Sequence, residues 1–575
     1  MDIRGILTEL VAGAIVERFG DKVPREEALK ASMVEMPREL AHGDLASSAC
    51  LKLARQIKMA PVKAATEIAP LVKAACDERI NGYVDSVEVV PPGFMNFHLG
   101  RPFLVGVIRE IAAGGYGRSD IGHGTRFNVE FVSANPTGPL TVAHGRQAAV
   151  GDMLANILGY TGFDVQREYY LNDTGRQIKM LGASVYHYYA AEAGASVAMP
   201  EDGYQGDYIS DIGRALFEKE GKALLSLDQK EAVWRAGVFA GDVILEGIKV
   251  DLDAFRVTFD EYFSQKAFEA SGAVDRLMER MKADGLVYEK EGAWWLKASE
   301  YGDQEDRVVI RSDGTYTYRT PDIAYLENKY ERGFNRAVLM VGPDHHGHII
   351  TMEAAMRALG HRADAFKGLI VQFCSLWRGS EKLKMSTRAG QFVTLREVFE
   401  EVGIDATRYF FAARKTDSPL DFDLELAKKQ SMDNPVYYIQ YMSARLSGIL
   451  EKAAADERFA GEFSDGLYLS EDADLLALGE EEDVILRFLL QLPVTMEKAA
   501  ESLEPHRLCA YLYDLAGLFH TYYAKCWFVS DDTRLSKARL YFASALKALV
   551  REMLALIGVS APEKMYLPAA EEEAS

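Results

Sequence analysis

The sequence predicts a multidomain α/β protein whose central domain is built on a parallel sheet. Three observations carry this. Near residue 126 a strand–turn–helix–strand pattern of the βαβ kind begins. Upstream lie two helical stretches and a strand–turn–strand, a smaller α/β unit. From about residue 421 the pattern is helical almost to the end.

In the N-terminal unit, placed at 1–120, helical periodicity runs through residues 3–19 and 45–57. Val87-Glu88-Val89-Val90 reads as a strand, Pro91-Pro92-Gly93 as a turn and residues 94–99 as the next strand. The Gly-rich stretch 114–124 is the expected linker. The central domain, 121–420, opens with a buried strand over 127–132, a Pro136-Thr137-Gly138-Pro139 turn, a helix over about 144–158 and a strand over 162–170. Residues from about 205 to 290 read as a helical insertion, after which strands return at 337–341 and 369–373. In the third unit, 421–565, Leu508, Leu512, Leu515, Leu518 and Phe519 mark one helix face. Residues 566–575, ending in Glu-Glu-Glu, are expected to be a disordered acidic tail.

Composition narrows the class. The chain has 575 residues, room for roughly three to five domains. Lys plus Arg number 65 and Asp plus Glu 86, a net charge of −21. That argues against wholesale coating of nucleic acid, but a local basic patch can still hold phosphates. The five cysteines have no finger spacing and are expected as reduced thiols in the cytoplasm. The N-terminus lacks signal-peptide character, and no uncharged apolar run reaches about 18 residues, so neither secretion nor a membrane span is expected.

Two segments could carry chemistry. Asn135-Pro136-Thr137-Gly138-Pro139-Leu140 leads into Thr141-Val142-Ala143-His144 at a helix start, where free N–H groups and the dipole favour phosphate. Lys384-Met385-Ser386-Thr387-Arg388 sets two cations around hydroxyls, suited to charge on a leaving pyrophosphate. Taken singly, the first is more often a plain helix cap and the second more often a solvated basic loop.

Together and in this order, 141–144 resembles the HIGH signature and 384–388 the KMSKS signature of class I aminoacyl-tRNA synthetases. Residues 129–140, 170–177 (Tyr-Leu-Asn-Asp-Thr-Gly-Arg-Gln), 388–395 and 434–441, with Ala41–Ala46 and 92–97 at the front, are similar to the arginyl-tRNA synthetases over nearly the whole chain. The resemblance implies a Rossmann-type catalytic domain, an N-terminal tRNA-contacting domain and a C-terminal anticodon-binding domain. It implies ATP with Mg²⁺ as substrate, with Thr141, Ala143, His144, Gly342, Asp344, Lys384, Met385 and Ser386 at ATP, and Thr141, His144, Lys384 and Arg388 as the catalytic set. It places Glu130, Tyr318 and Asp322 at the arginine guanidinium and Asn135 at the backbone end of the amino acid. Planar guanidinium recognition needs such rigid acceptors. Tyr438, Gln440, Tyr441, Arg445 and Met565 are the implied anticodon-side tRNA contacts, although a helical-core role suits some of those aromatics equally.

Departures are visible. Thr141 and Ala143 replace a histidine and a glycine of the first signature, and the Ala143 methyl stands where adenine approaches. Thr387 replaces a lysine, and ten residues follow Met565, where the family often ends. His345, His346 and His348 lack further ligand residues, so no metal is assigned to them. The expected activity is the joining of L-arginine to its tRNA by a cytoplasmic monomer. Rivals are another class I synthetase, such as one for cysteine, and an inactive tRNA-binding relative. The first would need thiolate zinc ligands that the sequence does not offer; intact Lys384, Asn135, Glu130 and Asp322 argue against the second.

Overall fold

A computed structural model describes residues 2–37, 42–383, 393–464, 466–468 and 474–565. In the first unit, helices α1 (Ile3–Phe19), α2 (Arg25–Ala31), α3 (Ala49–Ile57) and α4 (Pro61–Arg79) cover an antiparallel sheet. Its strands are β1 (Val34–Glu35), β2 (Leu45–Ser47), β3 (Val84–Val90) and β4 (Phe94–Leu99), in the order β1-β2-β4-β3. The helix expected from residue 45 therefore starts only at Ala49. Leu45, Ala46 and Ser47 pair with Phe97, Asn96 and Met95, and cross-strand pairing overrides the local helical pattern. Helix α5 (Arg101–Ala112) leads out.

The central sheet is built from β5 (Arg126–Glu130), β6 (Asp164–Leu171), β7 (Glu261–Ser264), β11 (Arg336–Val341) and β12 (Phe366–Ile370). It is parallel throughout, in the order β12-β11-β5-β6-β7. From β5 the chain builds outward through β6 and β7, then returns to the other side of β5 with β11 and β12. The order reverses between β5 and β11, which opens a crevice at the carboxyl ends of those two strands. Helix α6 (Val142–Tyr160) links β5 to β6. It is buried on nearly every side, Arg146 and Asp152 included, as a helix inside a core must be.

Helices α7 (Gly175–Glu192), α8 (Asp207–Glu220) and α9 (Gln229–Ala254) pack together. The helical stretch expected to run to about residue 290 is interrupted at Glu261, where β7 joins the main sheet. Beyond it lie α10 (Gln265–Ala270), α11 (Ala273–Ala283) and an antiparallel sheet of β8 (Val287–Lys290), β9 (Ala293–Leu296) and β10 (Arg307–Ile310). These pack with α12 (Arg319–Glu331) and α13 (His346–Ala358) around a second apolar cluster.

Strands β13 (Cys374–Arg378), β14 (Glu381–Lys382) and β15 (Leu420–Asp423) form a small sheet, with α14 (Leu395–Val402), α15 (Ile404–Ala412) and α16 (Leu424–Lys428) around it. The third unit consists of α17 (Pro435–Ala454), the short hairpin β16 (Phe463–Ser464) and β17 (Leu467–Tyr468), then α18 (Glu480–Leu489), α19 (Gln491–Glu501), α20 (His506–Lys525) and α21 (Thr533–Leu556). It docks on both other units. Asp44 pairs with Arg487, and Arg101 with Asp483 at 2.8 Å. Arg408 on α15 is fully buried and donates to Asp152 Oδ2 of α6 at 2.6 Å, to the carbonyl of Phe255 at 2.8 Å and to that of Ile557 at 3.3 Å.

Candidate active site

A cavity of about 460 Å³ fills the crevice where the strand order reverses. The segment after β5 supplies Val132 to Asn135, α6 supplies Ala143 and His144, and the end of β11 leads to Gly342 and Asp344. Helix α12 contributes Asp322 and Tyr325, and the segment after β12 contributes Gln372 and Phe373. Glu130, Asn135, Ala143, His144, Asp322, Gly342 and Asp344 are thus brought into one chamber. Tyr318 stands at the N-cap of α12, 58 % exposed, with its ring 5.7 Å from that of His348. It lies at the rim beside Asp322 rather than in the wall. Lys384, Met385, Ser386 and Arg388 lie outside the described residues.

The chain leaves β5 through two left-handed residues, Val132 (φ 67°) and Ser133 (φ 40°). A β-branched residue there is strained, and such strain gathers at functional sites. The turn places the Ser133 hydroxyl to donate to Glu130 Oε1 at 3.2 Å and to accept from the Tyr170 N–H at 3.0 Å. Glu130 is 3 % exposed. Its Oε2 pairs with Lys329 Nζ at 2.9 Å and lies 2.8 Å from the Tyr325 hydroxyl, whose one proton also has Glu168 Oε1 within reach at 2.6 Å. Asp322 pairs through Oδ2 with His348 Nε2 at 3.2 Å.

At the start of α6 the Thr141 N–H donates to His144 Nδ1 at 3.2 Å. His144 is half-buried, and burial lowers its imidazole to about 4. The neutral ring therefore carries its proton on Nε2. Ala143 is exposed, so its methyl occupies chamber space. Gly145 has no room for a side chain: a Cβ there would meet Leu395 Cδ1 at 2.5 Å and Phe411 Cε2 at 3.0 Å. Leu395 N–H also donates to Leu140 O at 2.8 Å, and Thr394 bridges to Thr141. The residues that follow the second signature segment are in this way tied to the first.

Residues the sequence did not single out complete the site. Arg146, fully buried, donates to the carbonyls of Gln372 at 2.8 Å and of Lys415 and Ser418 at 3.0 Å, fixing one wall. Phe373 presents a ring 65 % exposed into the chamber. Beneath Glu130 lies a buried ionic layer of Asn128, Glu168, Lys329 and Arg332. Glu168 lies within β6 among polar neighbours, and no local sequence pattern marks it. Among the described residues no group of three or more His, Cys, Asp or Glu is placed to hold a metal ion.

Of the residues singled out for tRNA, Tyr438, Gln440, Tyr441 and Arg445 sit on α17 and Met565 follows α21. Arg445 lies between the rings of Tyr441 and Tyr523, 4.6 and 4.5 Å from their centroids, and donates to His520 Nδ1 at 3.2 Å. Tyr438 packs at 4.6 Å on the His520 ring. Gln440 is buried, and its amide donates to Asp405 Oδ2 at 2.8 Å and to Ser560 O at 3.0 Å, so it joins units rather than facing outward. Met565 lines a groove with Tyr437, Gln440 and Ser560.

Comparison with known proteins adds three family matches. Residues 5–99 match the arginyl tRNA synthetase N-terminal domain, 110–423 the class I (R) tRNA synthetase catalytic domain and 439–565 the DALR anticodon binding domain. An arginine–tRNA ligase of Desulfosudis oleivorans is 46 % identical over 536 residues, covering 92 % of this chain and 94 % of the relative. One from Geobacillus thermodenitrificans is 42 % identical over 571 residues, 98 % and 100 % of the two chains. The solved arginyl-tRNA synthetase of Thermus thermophilus shares the fold, with a TM-score of 0.73 at 22 % identity over 98 % of this chain and 100 % of that one.

Proposed function

The chain belongs to the arginyl-tRNA synthetases, and from that premise we propose that the chamber between β5 and β11 is where arginine meets ATP. The enzyme joins L-arginine to its tRNA with ATP, through an arginyl-adenylate. The observation that carries the site assignment is the chamber's two-sided chemistry. Carboxylates Glu130 and Asp322 line it together with the helix-start residues Ala143 and His144 and with Gly342 and Asp344.

In this reading the guanidinium lies between Glu130 and Asp322, and Asn135 holds the amino-acid backbone end. The arginine carboxylate attacks the α-phosphate of ATP, a P–O bond forms, and the bond to pyrophosphate breaks. No general base is needed, because the attacking carboxylate carries its charge already. The work is orientation and charge stabilisation. His144 supplies a neutral Nε2–H donor to a phosphate oxygen, and Gly342 and Asp344 receive the ribose side. Mg²⁺ arrives with the triphosphate as part of the substrate. Lys384 and Arg388 take the charge of the departing pyrophosphate. The arginyl group then passes to the terminal ribose of the tRNA. Tyr438, Tyr441, Arg445 and Met565 form the anticodon-side surface, with Gln440 holding its helix in place. Free cysteines, four of them buried, suit a reducing cytoplasm, and we take the working unit to be a monomer.

The test is charging of the cognate tRNA with radiolabelled arginine, with lysine and citrulline as controls, by wild type and by Glu130→Gln and Asp322→Asn. Arginine-only charging, with both variants impaired in arginine use, supports the site. Two variants with wild-type kinetics would remove it.

A further inference from the structure

The ionic layer beneath the chamber has a feature that arginine recognition alone does not call for. Lys329 Nζ, inside the protein at 0 % exposure, lies 2.9 Å from Glu130 Oε2, 2.6 Å from Glu168 Oε1 and 2.6 Å from Asn128 Oδ1. The Tyr325 hydroxyl is 2.9 Å away. Glu168 is already matched: Arg332 grips both its oxygens, at 2.6 and 3.0 Å, and Asn128 Nδ2 donates to it at 3.1 Å. Burial would raise the Glu168 carboxyl, but Lys329 and Arg332 outweigh burial and hold it at about 2. With Arg332 balancing Glu168, the charge of Lys329 is left for Glu130. The layer then holds two carboxylates against two cations, and a buried charge needs such a partner to stay ionised.

The two oxygens of Glu130 consequently differ. Oε2 pairs with Lys329 and lies 2.8 Å from the Tyr325 hydroxyl, whereas Oε1 takes the Ser133 hydroxyl at 3.2 Å, and Glu130 lines the chamber. We propose that Lys329 is a positioning residue for arginine recognition: it balances the charge of Glu130, holds Oε2 and so reserves the other carboxylate oxygen for the substrate. This rests on the reading above that Glu130 receives the guanidinium. It also deepens that reading, because a guanidinium that finds one oxygen at Glu130 takes its second carboxylate contact from Asp322. Recognition is then shared between β5 and α12 instead of being a two-pronged grip by Glu130.

Removing the cation leaves Glu130 buried without its countercharge and frees Oε2 from its partner. In Lys329→Met, arginine KM at pH 7.5 should rise at least about tenfold, while the KM for ATP stays within about twofold. A merely structural lysine would weaken both substrates together. Tyr325→Phe keeps the ring among Tyr170, Phe263 and Phe268 and removes a hydroxyl that Glu130 Oε2 shares with Glu168 Oε1. It should raise arginine KM about threefold to tenfold.

The measurement is tRNA-supported ATP–pyrophosphate exchange, with arginine and ATP varied separately, on wild type, Lys329→Met, Tyr325→Phe and Glu130→Gln. A selective arginine KM effect supports the assignment. A folded Lys329→Met with wild-type arginine KM overturns it, while impairment of Glu130→Gln leaves the parent reading standing. Should Lys329→Met fail to fold, an unchanged arginine KM in Tyr325→Phe overturns it instead. If Glu130→Gln is also silent, the arginine site itself is misplaced.

Discussion

The backbone N–H of Thr141 donates to Nδ1 of His144 at 3.2 Å, and this bond decides which ring nitrogen carries the proton. Nδ1 is the acceptor, so Nε2 is the donor of a neutral ring. Burial lowers His144 to about 4. The ring binds a proton more weakly in the folded chain than in the unfolded one. The folded state is therefore penalised as pH falls from about 6.5 toward 4, and not above that window. The ¹³C-labelled His144 Cε1–H signal, identified by its loss in His144→Ala, should show no titration between pH 5.5 and 8. A midpoint near 6.5 would contradict the neutral-donor role.

The same geometry predicts what removal of the ring does. Loss of one preorganised donor to a developing phosphate charge costs on the order of 100-fold in kcat. His144→Ala should show that loss in ATP–pyrophosphate exchange, with the KM for arginine changed by less than about threefold. Loss of the helix-end bond costs about 1 kcal/mol, so a thermal melt should fall by only a few degrees. A large melt shift with unchanged kcat would reverse the assignment.

Glu130 and Asp322 line one chamber from β5 and α12. Glu130→Gln and Asp322→Asn should each raise arginine KM at least about tenfold, the scale of a lost charge-assisted hydrogen bond. Separate titrations of arginine and ATP check this. Equal weakening of both substrates would point to distortion in place of recognition.

How much of this the chain displays on its surface, as it were, follows physical lines. Strand β11 is an apolar run and was legible, as were β5 and the long helix α6 after it; β6 carries Asp164, Gln166, Arg167 and Glu168 and showed only by its place after that helix, and β12 lies at 366–370 where 369–373 was expected. Leu45–Ser47 was not, because its strand character comes from pairing with β4, far along the chain. Strand β7 hides as four residues among helices, taking its place only at the sheet edge. Glu130, Asn135 and Asp322, singled out through the family resemblance, line the chamber, but Lys329 and Glu168 were not singled out. Their pairing joins β6 to α12 across 161 residues, and no local pattern announces it. Gln440 shows the converse: its neighbours suggest an RNA-facing helix, yet its amide is spent on Asp405 and Ser560.

Ala143 offers a prediction from a departure. Its methyl is exposed at the start of α6, in the wall of the chamber. Ala143→Gly removes that methyl and should lower the KM for ATP about twofold to fivefold, on the scale of one apolar group in a binding site, with arginine KM unchanged. The same change costs the helix up to about 1 kcal/mol, readable as a slightly lower melting temperature. A KM for ATP that rises would mean that the methyl packs against the nucleotide.

The last prediction concerns the junction between the catalytic and helical units. Gly558 adopts φ 69° just after α21, and a Cβ there would come within 2.2 Å of Arg408 Nε and Nη2. Arg408 cannot yield easily, since its guanidinium is spent on Asp152 and on the carbonyls of Phe255, Arg256 and Ile557. Asn156, one turn along α6 from Asp152, donates to the carbonyl of Leu556 at 3.0 Å. The far half of α6, which carries His144 in its first turn, is thus bound to the end of the helical unit. Gly558→Ala combines a left-handed backbone with displacement of a buried cation, so destabilisation of at least about 2 kcal/mol is expected. Denaturant unfolding reads it directly. Gly558→Asn, which tolerates the left-handed region better but still carries the Cβ, should recover only a small part. Equal stability of Gly558→Ala and wild type would show that Arg408 can move without cost, and that the junction does not depend on it.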